Sequence, residues 1–230
     1  MKTAGKKTAA GKTKTAAGKT TAAADSAGAV AEKLAAMVQK GALFSVWTAD
    51  YEASDLYPLR IDELGDDGAM VLSYPDPPGQ AHLRFSAEAI EHGTGVVFLS
   101  QYSVMAGQAE KQYRALDTST HSPPFLLPRE FVRRLKAGES AALKVYSGSF
   151  ALTLFGEAET TVRIHDQPVK VRVLHAQDDG ETSWSPVDLW VLDHPKWPLL
   201  MKLDFGGECE LSLFEVRPSP GLDCSDAKKP

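Results

Sequence analysis

Apolar and polar residues alternate with a period of two along most of the chain after Leu43, and this pattern constrains the fold more than any other feature of the sequence. The alternating segments are rich in Val, Leu, Phe and Thr, and turn residues separate them at intervals of about 8–12 residues. Such strands have one apolar and one polar face, which is typical of antiparallel sheets that cover a core. We therefore predict an α+β body that is mainly antiparallel β, built as a curved sheet, a sandwich or a half-barrel, with a few short helices.

A proline-rich segment, residues 117–128, separates two groups of predicted strands. The first group comprises residues 43–48, 58–64, 69–74, 81–87 and 95–102. The second comprises residues 141–146, 149–154, 160–164, 169–176, 187–192, 199–205 and 208–216. Residues 160–164 and 169–176 form the clearest hairpin, with a four-residue turn predicted at 165–168.

Three segments have the features of helices. Residues 28–40 place apolar side chains at helical spacing, with cap-type residues before them and a glycine after them. Residues 105–116 and 129–136 are predicted to form shorter helices. The chain therefore divides into an arm (1–25), an amphipathic helix (26–41), a β-rich body (42–216) and a flexible tail (217–230).

The arm differs sharply in composition from the rest of the chain. Residues 2–24 consist only of Lys, Thr, Ala and Gly, and they carry six positive charges and no negative charge. The other residues carry 19 basic and 30 acidic side chains, a net formal charge of −11. Because the arm has no side chain that can form an apolar core, burial cannot offset a backbone entropy of roughly 1–2 kcal/mol per residue. We predict that the arm is disordered in isolation.

The tripeptide Gly-Lys-Thr occurs twice in the arm, at residues 11–13 and 18–20, and suggests a phosphate-binding loop. That loop requires four residues between its two glycines, followed by Lys and then Ser or Thr. Five residues separate Gly5 from Gly11, and the glycine required before Gly18 is replaced by Thr13. The spacing excludes a phosphate-binding loop in the arm.

The lysines of the arm are instead candidates for contact with a polyanion, and they are Lys2, Lys6, Lys7, Lys12, Lys14 and Lys19. In its lysines spaced by small residues, the arm resembles the tails of linker histones and of some bacterial histone-like proteins. The resemblance implies weak, non-specific binding of nucleic acid or another polyanion, in which lysines release counterions from phosphates. Without arginine or aromatic residues, the arm has no means of reading bases. The alternatives are a solvated spacer or an added extension without function, and contact of the arm with the acidic body.

A second resemblance lies near the C-terminus. Residues 188–193 read Asp-Leu-Trp-Val-Leu-Asp, residues 198–202 read Pro-Leu-Leu-Met-Lys, and a closing strand follows. This arrangement resembles the hairpin that closes the curved sheet of lipoprotein-carrier-like half-barrels. The resemblance implies a concave face that holds acyl chains or another apolar ligand.

No motif in the sequence predicts catalysis or metal binding. None of the six histidines lies three or four residues from another, and neither HExxH nor CxxC occurs. The Asp-His pair at 193–194 is the best acid–base candidate, but it lies in a turn where backbone geometry favours Asp and Pro. Residues 117–119 lack the glycine of an aspartic-protease loop, and the acidic turns at 66–67 and 178–179 do not follow calcium-loop spacing. We predict no catalytic residue, metal or cofactor.

Two further groups of side chains have both a functional and a structural interpretation. Arg133, Arg134 and Lys136 form a small basic cluster, which suits the C-terminal end of a helix and is interpreted as a solvated face. Trp184 and Trp197 lie beside prolines and could line a groove, although packing into the core is the favoured interpretation.

These features favour a non-enzymatic binding or assembly protein whose body contacts another protein or a second copy of the chain. A carrier of an apolar ligand in a curved sheet is the second hypothesis, and a hydrolase with an unrecognised site is the third. No stretch approaches about 18 uncharged apolar residues, and no apolar segment of a signal peptide follows the basic start. We therefore expect no transmembrane segment and a cytoplasmic location.

Overall fold

The computed structural model of the protein describes residues 20–49, 54–76, 79–99, 118–145, 148–178, 186–207 and 210–218. Within these residues the chain is mostly β, with twelve strands in one hydrogen-bonded sheet and three helices. The strands are β1 (Leu43–Ala49), β2 (Ser54–Leu64), β3 (Met70–Asp76), β4 (Gly79–Phe85), β5 (Gly95–Val96), β6 (His121–Ser122), β7 (Ala141–Val145), β8 (Gly148–Ile164), β9 (Gln167–Asp178), β10 (Val187–Val191), β11 (Leu200–Phe205) and β12 (Glu210–Arg217). The helices are α1 (Thr20–Ala36), α2 (Ala87–His92) and α3 (Arg129–Lys136).

The first and last strands along the chain, β1 and β12, pair with each other and join the two groups of predicted strands. Its order is β4-β3-β2-β1-β12-β11-β10-β9-β8-β7-β5-β6, so β1 pairs with β12 at the centre. Neighbours from β4 to β7 are antiparallel, which confirms the prediction for the main part of the sheet. Strand β5 is parallel to both β6 and β7, and the end of β8 makes an additional parallel pair with β12.

The β8–β9 hairpin is longer than the sequence predicts. Residues 149–154 and 160–164 belong to one strand, β8, because its ladder to β9 continues through a β-bulge between Leu154 and Gly156. The turn has two residues rather than four: His165 and Asp166 have φ values of 49° and 64°, and β9 begins at Gln167. Positive φ at both central residues is the geometry of the turn that matches the twist of a hairpin.

Strand β9 changes its buried face halfway along. Val171 and Val173 are buried in the first half, whereas Leu174, Ala176 and Asp178 are buried in the second half. Two consecutive buried residues at 173–174 mark the point where the strand turns its other face to the core. The tip of the hairpin therefore packs with the opposite face from its base, and Arg163 and Ile164 reach β12 there.

The strand predicted at residues 95–102 is wrong in its length, because β5 contains only Gly95 and Val96. Gly95 lies tightly between two neighbours, so that a Cβ there would come within 2.4 Å of the carbonyl oxygen of Lys144. Val97, Phe98 and Leu99 follow β5 and are buried, but they do not form a ladder of hydrogen bonds with a neighbouring strand. Apolar residues at this point therefore reflect burial on both sides rather than a long strand.

Residues 122–128 of the proline-rich segment are buried and form part of the core. Phe125 stacks on Phe44 of β1, with ring centroids 4.2 Å apart and ring planes at 11°, and both rings are fully buried. Its carbonyl oxygen accepts a hydrogen bond from the N–H of Leu200 at 3.0 Å. Leu126 also forms an isolated bridge with Leu199. This segment covers the apolar face of the sheet, although its prolines predict a loop.

The helices agree with the sequence to different degrees. Helix α3 has the predicted bounds, with Pro128 before it and Gly138, at φ 78°, shortly after it. Helix α1 ends earlier than the predicted 28–40. It also begins earlier, because the alanine-rich residues before Gly28 favour continuation of the helix towards the N-terminus. It therefore begins inside the range predicted as the arm. The predicted helix at 105–116 lies outside the described residues.

No helix within the described ranges is long and apolar enough to cross a membrane.

Candidate binding face

Strands β8 to β12, β1 and β2 have one face on which aromatic and apolar side chains follow one another from strand to strand. The strand register makes six residues consecutive cross-strand neighbours, one each from β9, β10, β11, β12, β1 and β2: His175, Trp190, Lys202, Ser212, Trp47 and Leu56. None of the six is buried. Together with Phe155 of β8 and Phe214 of β12, we call them the aromatic row.

Three of these side chains form a stack that Lys202 completes. The edge of Phe155 meets the ring of His175 at a centroid distance of 5.5 Å and an angle of 70°. The His175 ring lies parallel to Trp190, 4.8 Å away and at 6°. The Nζ atom of Lys202 lies 5.4 Å from the centre of the Trp190 ring. Edge-to-face, stacked and cation–π contacts of this kind hold each ring in a fixed orientation.

Two β-bulges place phenylalanines on this face. Phe155 is the extra residue of the bulge in β8, and Phe214 is the extra residue of the bulge opposite Ser45 and Val46. Phe155 is 73% exposed and Phe214 is 42% exposed, and Leu56 at the far end of the row is 49% exposed. These are the large hydrophobic side chains that stay exposed among the described residues, and all three belong to one face. Bulges commonly redirect side chains next to functional sites.

A second row of cross-strand neighbours, which we call the acidic row, runs beside the aromatic row. It consists of Gln177, Asp188, Asp204 and Glu210. The Oδ1 atom of Asp188 lies 2.6 Å from Nε2 of His175 and accepts a hydrogen bond from Gln177 at 2.7 Å. The Nζ atom of Lys202 lies 3.0 Å from Asp204 and 3.2 Å from Glu210. Three carboxylates face one lysine, so this strip is acidic.

Both charged partners at the centre of the strip have shifted pKa values. Burial opposes the charged form of Asp204, but hydrogen bonds from the Gly207 N–H and from Lys202 outweigh burial, so the pKa of Asp204 lies below its usual value. Burial also opposes the charged form of Lys202. Its bonds to Asp204 and Glu210 outweigh burial, so the pKa of Lys202 lies above its usual value.

These shifts predict how the strip contributes to stability as the pH changes. The contribution of Asp204 is complete above its unfolded pKa of about 3.9 and is lost as the pH falls through its lower folded pKa. The contribution of Lys202 is complete below its unfolded pKa of about 10.4 and is lost as the pH rises through its higher folded pKa. Asp204→Asn should therefore lower the free energy of unfolding at neutral pH by no more than about 1 kcal/mol, because the pair is largely solvated.

Urea denaturation of the wild type and Asp204→Asn at several pH values checks this prediction. The difference between the two proteins should shrink as the pH falls below about 4 and through the lower folded pKa of Asp204, because the wild-type carboxylate then becomes protonated. An equal difference at neutral and strongly acidic pH would assign the effect to packing and not to charge.

The Asp-His pair predicted as the best acid–base candidate lies in a turn away from this face. The Nδ1 atom of His194 accepts hydrogen bonds from the N–H groups of Lys196, at 3.3 Å, and Trp197, at 3.0 Å. Asp193 pairs with Nζ of Lys136 at 2.7 Å. These contacts fix the turn between β10 and β11, and they use His194 as a backbone acceptor.

The basic cluster of α3 is paired with carboxylates. Arg133 contacts Glu91 and Glu130, Arg134 lies 2.9 Å from Glu139, and Lys136 pairs with Asp193. The Trp197 side chain is buried rather than lining a groove, whereas Trp184 lies outside the described residues. Of the three basic residues, Arg133 links α3 to α2, whereas Lys136 links α3 to the turn after β10.

Other residues considered from the sequence are placed as follows. The polyanion candidates Lys2, Lys6, Lys7, Lys12, Lys14 and Lys19 lie outside the described residues. Asp178 is buried and accepts a hydrogen bond from the N–H of Val187 at 3.0 Å. Over the described ranges, no group of three or more His, Cys, Asp or Glu side chains is arranged to hold a metal ion.

Two open clefts are weaker candidates for a binding site. One, of about 470 Å³, lies against β2 to β4 beside Thr118 and Ser119. The other, of about 560 Å³, lies beside Arg60 and Arg217. Arg60 pairs with Asp62 at 2.7 Å and Arg217 with Glu215 at 3.0 Å, so both arginines of the second cleft already have partners.

Sequence reasoning treated His175 as an isolated histidine and missed its place in the stack. The signal lay in spacing: His175 and Gln177 are two residues apart on one strand, and Asp188 and Trp190 are two residues apart on the next. Polar and aromatic residues at i and i+2 share a strand face. Only the register between β9 and β10 reveals that the two pairs meet.

No protein-family model, curated protein or solved structure matches this chain. The resemblances of its C-terminal hairpin to lipoprotein carriers and of its arm to histone-like tails therefore stay predictions.

Proposed function

We propose that the protein is a non-enzymatic binding or assembly protein that contacts a protein partner through the aromatic row. The observation that carries this proposal is the placement of Phe155, Phe214 and Leu56, which are exposed and lie on one face. Exposed apolar side chains that are grouped on one surface, rather than scattered, are typical of interaction sites. Ring side chains fixed by stacking lose little entropy when a partner covers them, which suits them to binding.

The size of the face agrees with a protein interface. From β8 to β2 the row crosses six gaps between strands, which is about 29 Å at about 4.8 Å per gap. A standard interface buries about 800 Å² on each partner, a patch roughly 28 Å across. The row is therefore long enough to form the centre of such an interface.

The charge of the face separates its role from that of the arm. Because the strip around Trp190 and Lys202 holds three carboxylates and one lysine, it repels phosphate groups and favours partners that carry basic side chains. The lysines of the arm have the opposite preference. We therefore assign protein binding to the body and contact with a polyanion to the arm. A cytoplasmic location is a separate part of this proposal.

Two alternatives have less support. An apolar-ligand carrier would need a curved sheet or half-barrel with an open apolar interior, whereas the described clefts are open to solvent and have charged residues in their walls. A hydrolase could use the His175–Asp188 pair. The imidazole of this pair lies between Phe155 and Trp190, so its contacts are those of a structural element of the stack.

Site-specific photo-cross-linking tests the proposed face. A photoreactive phenylalanine analogue replaces Phe155 or Phe214, and the control places it at Thr161, which is exposed on β8 but outside the row. We expect positions 155 and 214 to yield an adduct with the same protein, and position 161 to yield little of it. Adducts of equal yield from position 161 would contradict the proposal.

A further inference from the structure

We propose that the N-terminal arm of this chain, residues 2–19, docks on the face formed by the aromatic row and the acidic row. This inference rests on the proposed function, because it assigns an occupant to the same face.

The charge of the face selects among three possible occupants. A second copy would bring an identical acidic strip against the first, and like charges placed opposite one another oppose association. A nucleic acid would bring phosphates against the same carboxylates. The arm carries six lysines and no acidic residue, so it complements Asp188, Asp204 and Glu210. Arg163 lies over Phe214 of β12 at 5.6 Å, so this part of the face carries a positive charge and the complementary region is the strip around Trp190 and Lys202.

The chemistry of lysine also suits the aromatic side of this face. The stem of a lysine can lie along an apolar surface while its ammonium group stays in water or reaches a carboxylate. Lys202 already shows this arrangement, with Nζ over the Trp190 ring and bonded to Asp204 and Glu210. One lysine leaves these two carboxylates with one uncompensated negative charge, so a second lysine from the arm can join them.

The length of the arm is sufficient to span the acidic row. Helix α1 begins at Thr20, where residues 2–19 end, and its later part is fixed to the body by buried Leu34 and by Glu32, 3.5 Å from His194. It packs against β9, the strand that carries His175. A flexible chain of 19 residues has a typical end-to-end distance of about 22–26 Å, and the acidic row from β9 to β12 spans about 14 Å. The arm is long enough to leave Thr20 and cross this row.

The energetics make the docked state sensitive to conditions. A solvated lysine–carboxylate contact contributes at most about 1 kcal/mol, so several weak contacts must act together. The short tether gives the arm an effective concentration in the millimolar range, which compensates for weak contacts. At about 1 M salt the Debye length falls to about 3 Å and these contacts are screened. A polyanion offers the arm a denser array of charges and competes with the face.

Zero-length carbodiimide cross-linking of the full chain tests the inference, because it joins lysines to carboxylates that are in contact. We expect links from arm lysines to Asp188, Asp204 or Glu210 in the monomer, and their loss at about 1 M salt or on addition of heparin. The double variant Asp204→Asn, Glu210→Gln should lose most of these links. The matched control Glu157→Gln, Glu159→Gln removes two exposed carboxylates of β8 outside both rows and should keep them.

The outcomes separate this inference from the proposed function. Links spread evenly over the acidic residues of the body, links found only in dimers, or links unchanged in the Asp204→Asn, Glu210→Gln protein would overturn docking of the arm. If such a result accompanies specific photo-cross-linking from position 155 to another protein, the proposed function stands and only the arm's role fails. If the arm links form and are lost in the Asp204→Asn, Glu210→Gln protein as expected, while position 155 cross-links only to the chain itself, docking of the arm stands. The proposal of a separate protein partner is then wrong.

Discussion

Replacing Phe125 by alanine is expected to lower the free energy of unfolding by about 3–5 kcal/mol, the largest effect of any substitution considered for this protein. The Phe125 ring is fully buried and stacks on Phe44 at 4.2 Å. Its removal leaves a cavity between the proline-rich segment and β1 that the surrounding side chains cannot fill completely. The lost stacking contact adds to the cost of the lost burial.

Urea denaturation of the purified variant measures this effect, and Phe155→Ala is the matched control. Phe155 is the same residue type but is 73% exposed, so its replacement should change the free energy of unfolding by less than about 1 kcal/mol. Similar losses for the two variants would show that the proline-rich segment is not packed on β1 as described.

The second large effect is expected at Glu215, where alanine should lower the free energy of unfolding by about 1–3 kcal/mol. Its side chain is 6% exposed and accepts a hydrogen bond from the N–H of Asp166 at 2.9 Å. It also pairs with Arg217 at 3.0 Å, and this bond raises the pKa of Arg217. Since Asp166 has positive φ in the β8–β9 turn, the loss of Glu215 removes one of the contacts between the hairpin tip and β12 and leaves the Asp166 N–H without this acceptor.

The control for this prediction is Glu157→Ala on the same hairpin. Glu157 also pairs with an arginine, Arg172, but both side chains are about half exposed, so the expected loss is at most about 1 kcal/mol. Hydrogen exchange should become faster at the β8–β9 tip in Glu215→Ala and stay unchanged in Glu157→Ala. Equal destabilisation by the two substitutions would contradict the role given to burial at Glu215.

The alternation of apolar and polar residues predicts most of the antiparallel sheet. Helix α3 follows its pattern because one of its faces packs on the core, and β9 follows the alternation in each of its halves, although the two halves bury opposite faces. The alternation predicts two strands, 149–154 and 160–164, where the structure has the single strand β8, because Phe155 and Gly156 interrupt the pattern. In the structure these residues form a bulge, and the long ladder to β9 holds the strand together across it. Long-range pairing therefore overrides the local pattern there.

The candidate binding face could be predicted only in part. Each strand of the face has recognisable partly polar positions, such as His175 or Asp188, but the sequence does not state which strands are neighbours. The central pairing of β1 with β12 brings Trp47 beside Ser212, although the two residues are 165 positions apart in the chain. The exposed positions of Phe155 and Phe214 depend on bulges, which residue spacing does not reveal.

Photo-cross-linking from position 155, compared with position 161 on the same strand, is the measurement that most directly tests the central claim of a protein-binding face. We predict that positions 155 and 214 give an adduct with one and the same protein and that position 161 gives little of it. The Thr161 control is exposed and matched in strand, so it differs from position 155 mainly in lying outside the aromatic row. An equal yield from position 161, or different proteins from positions 155 and 214, would contradict a single binding face.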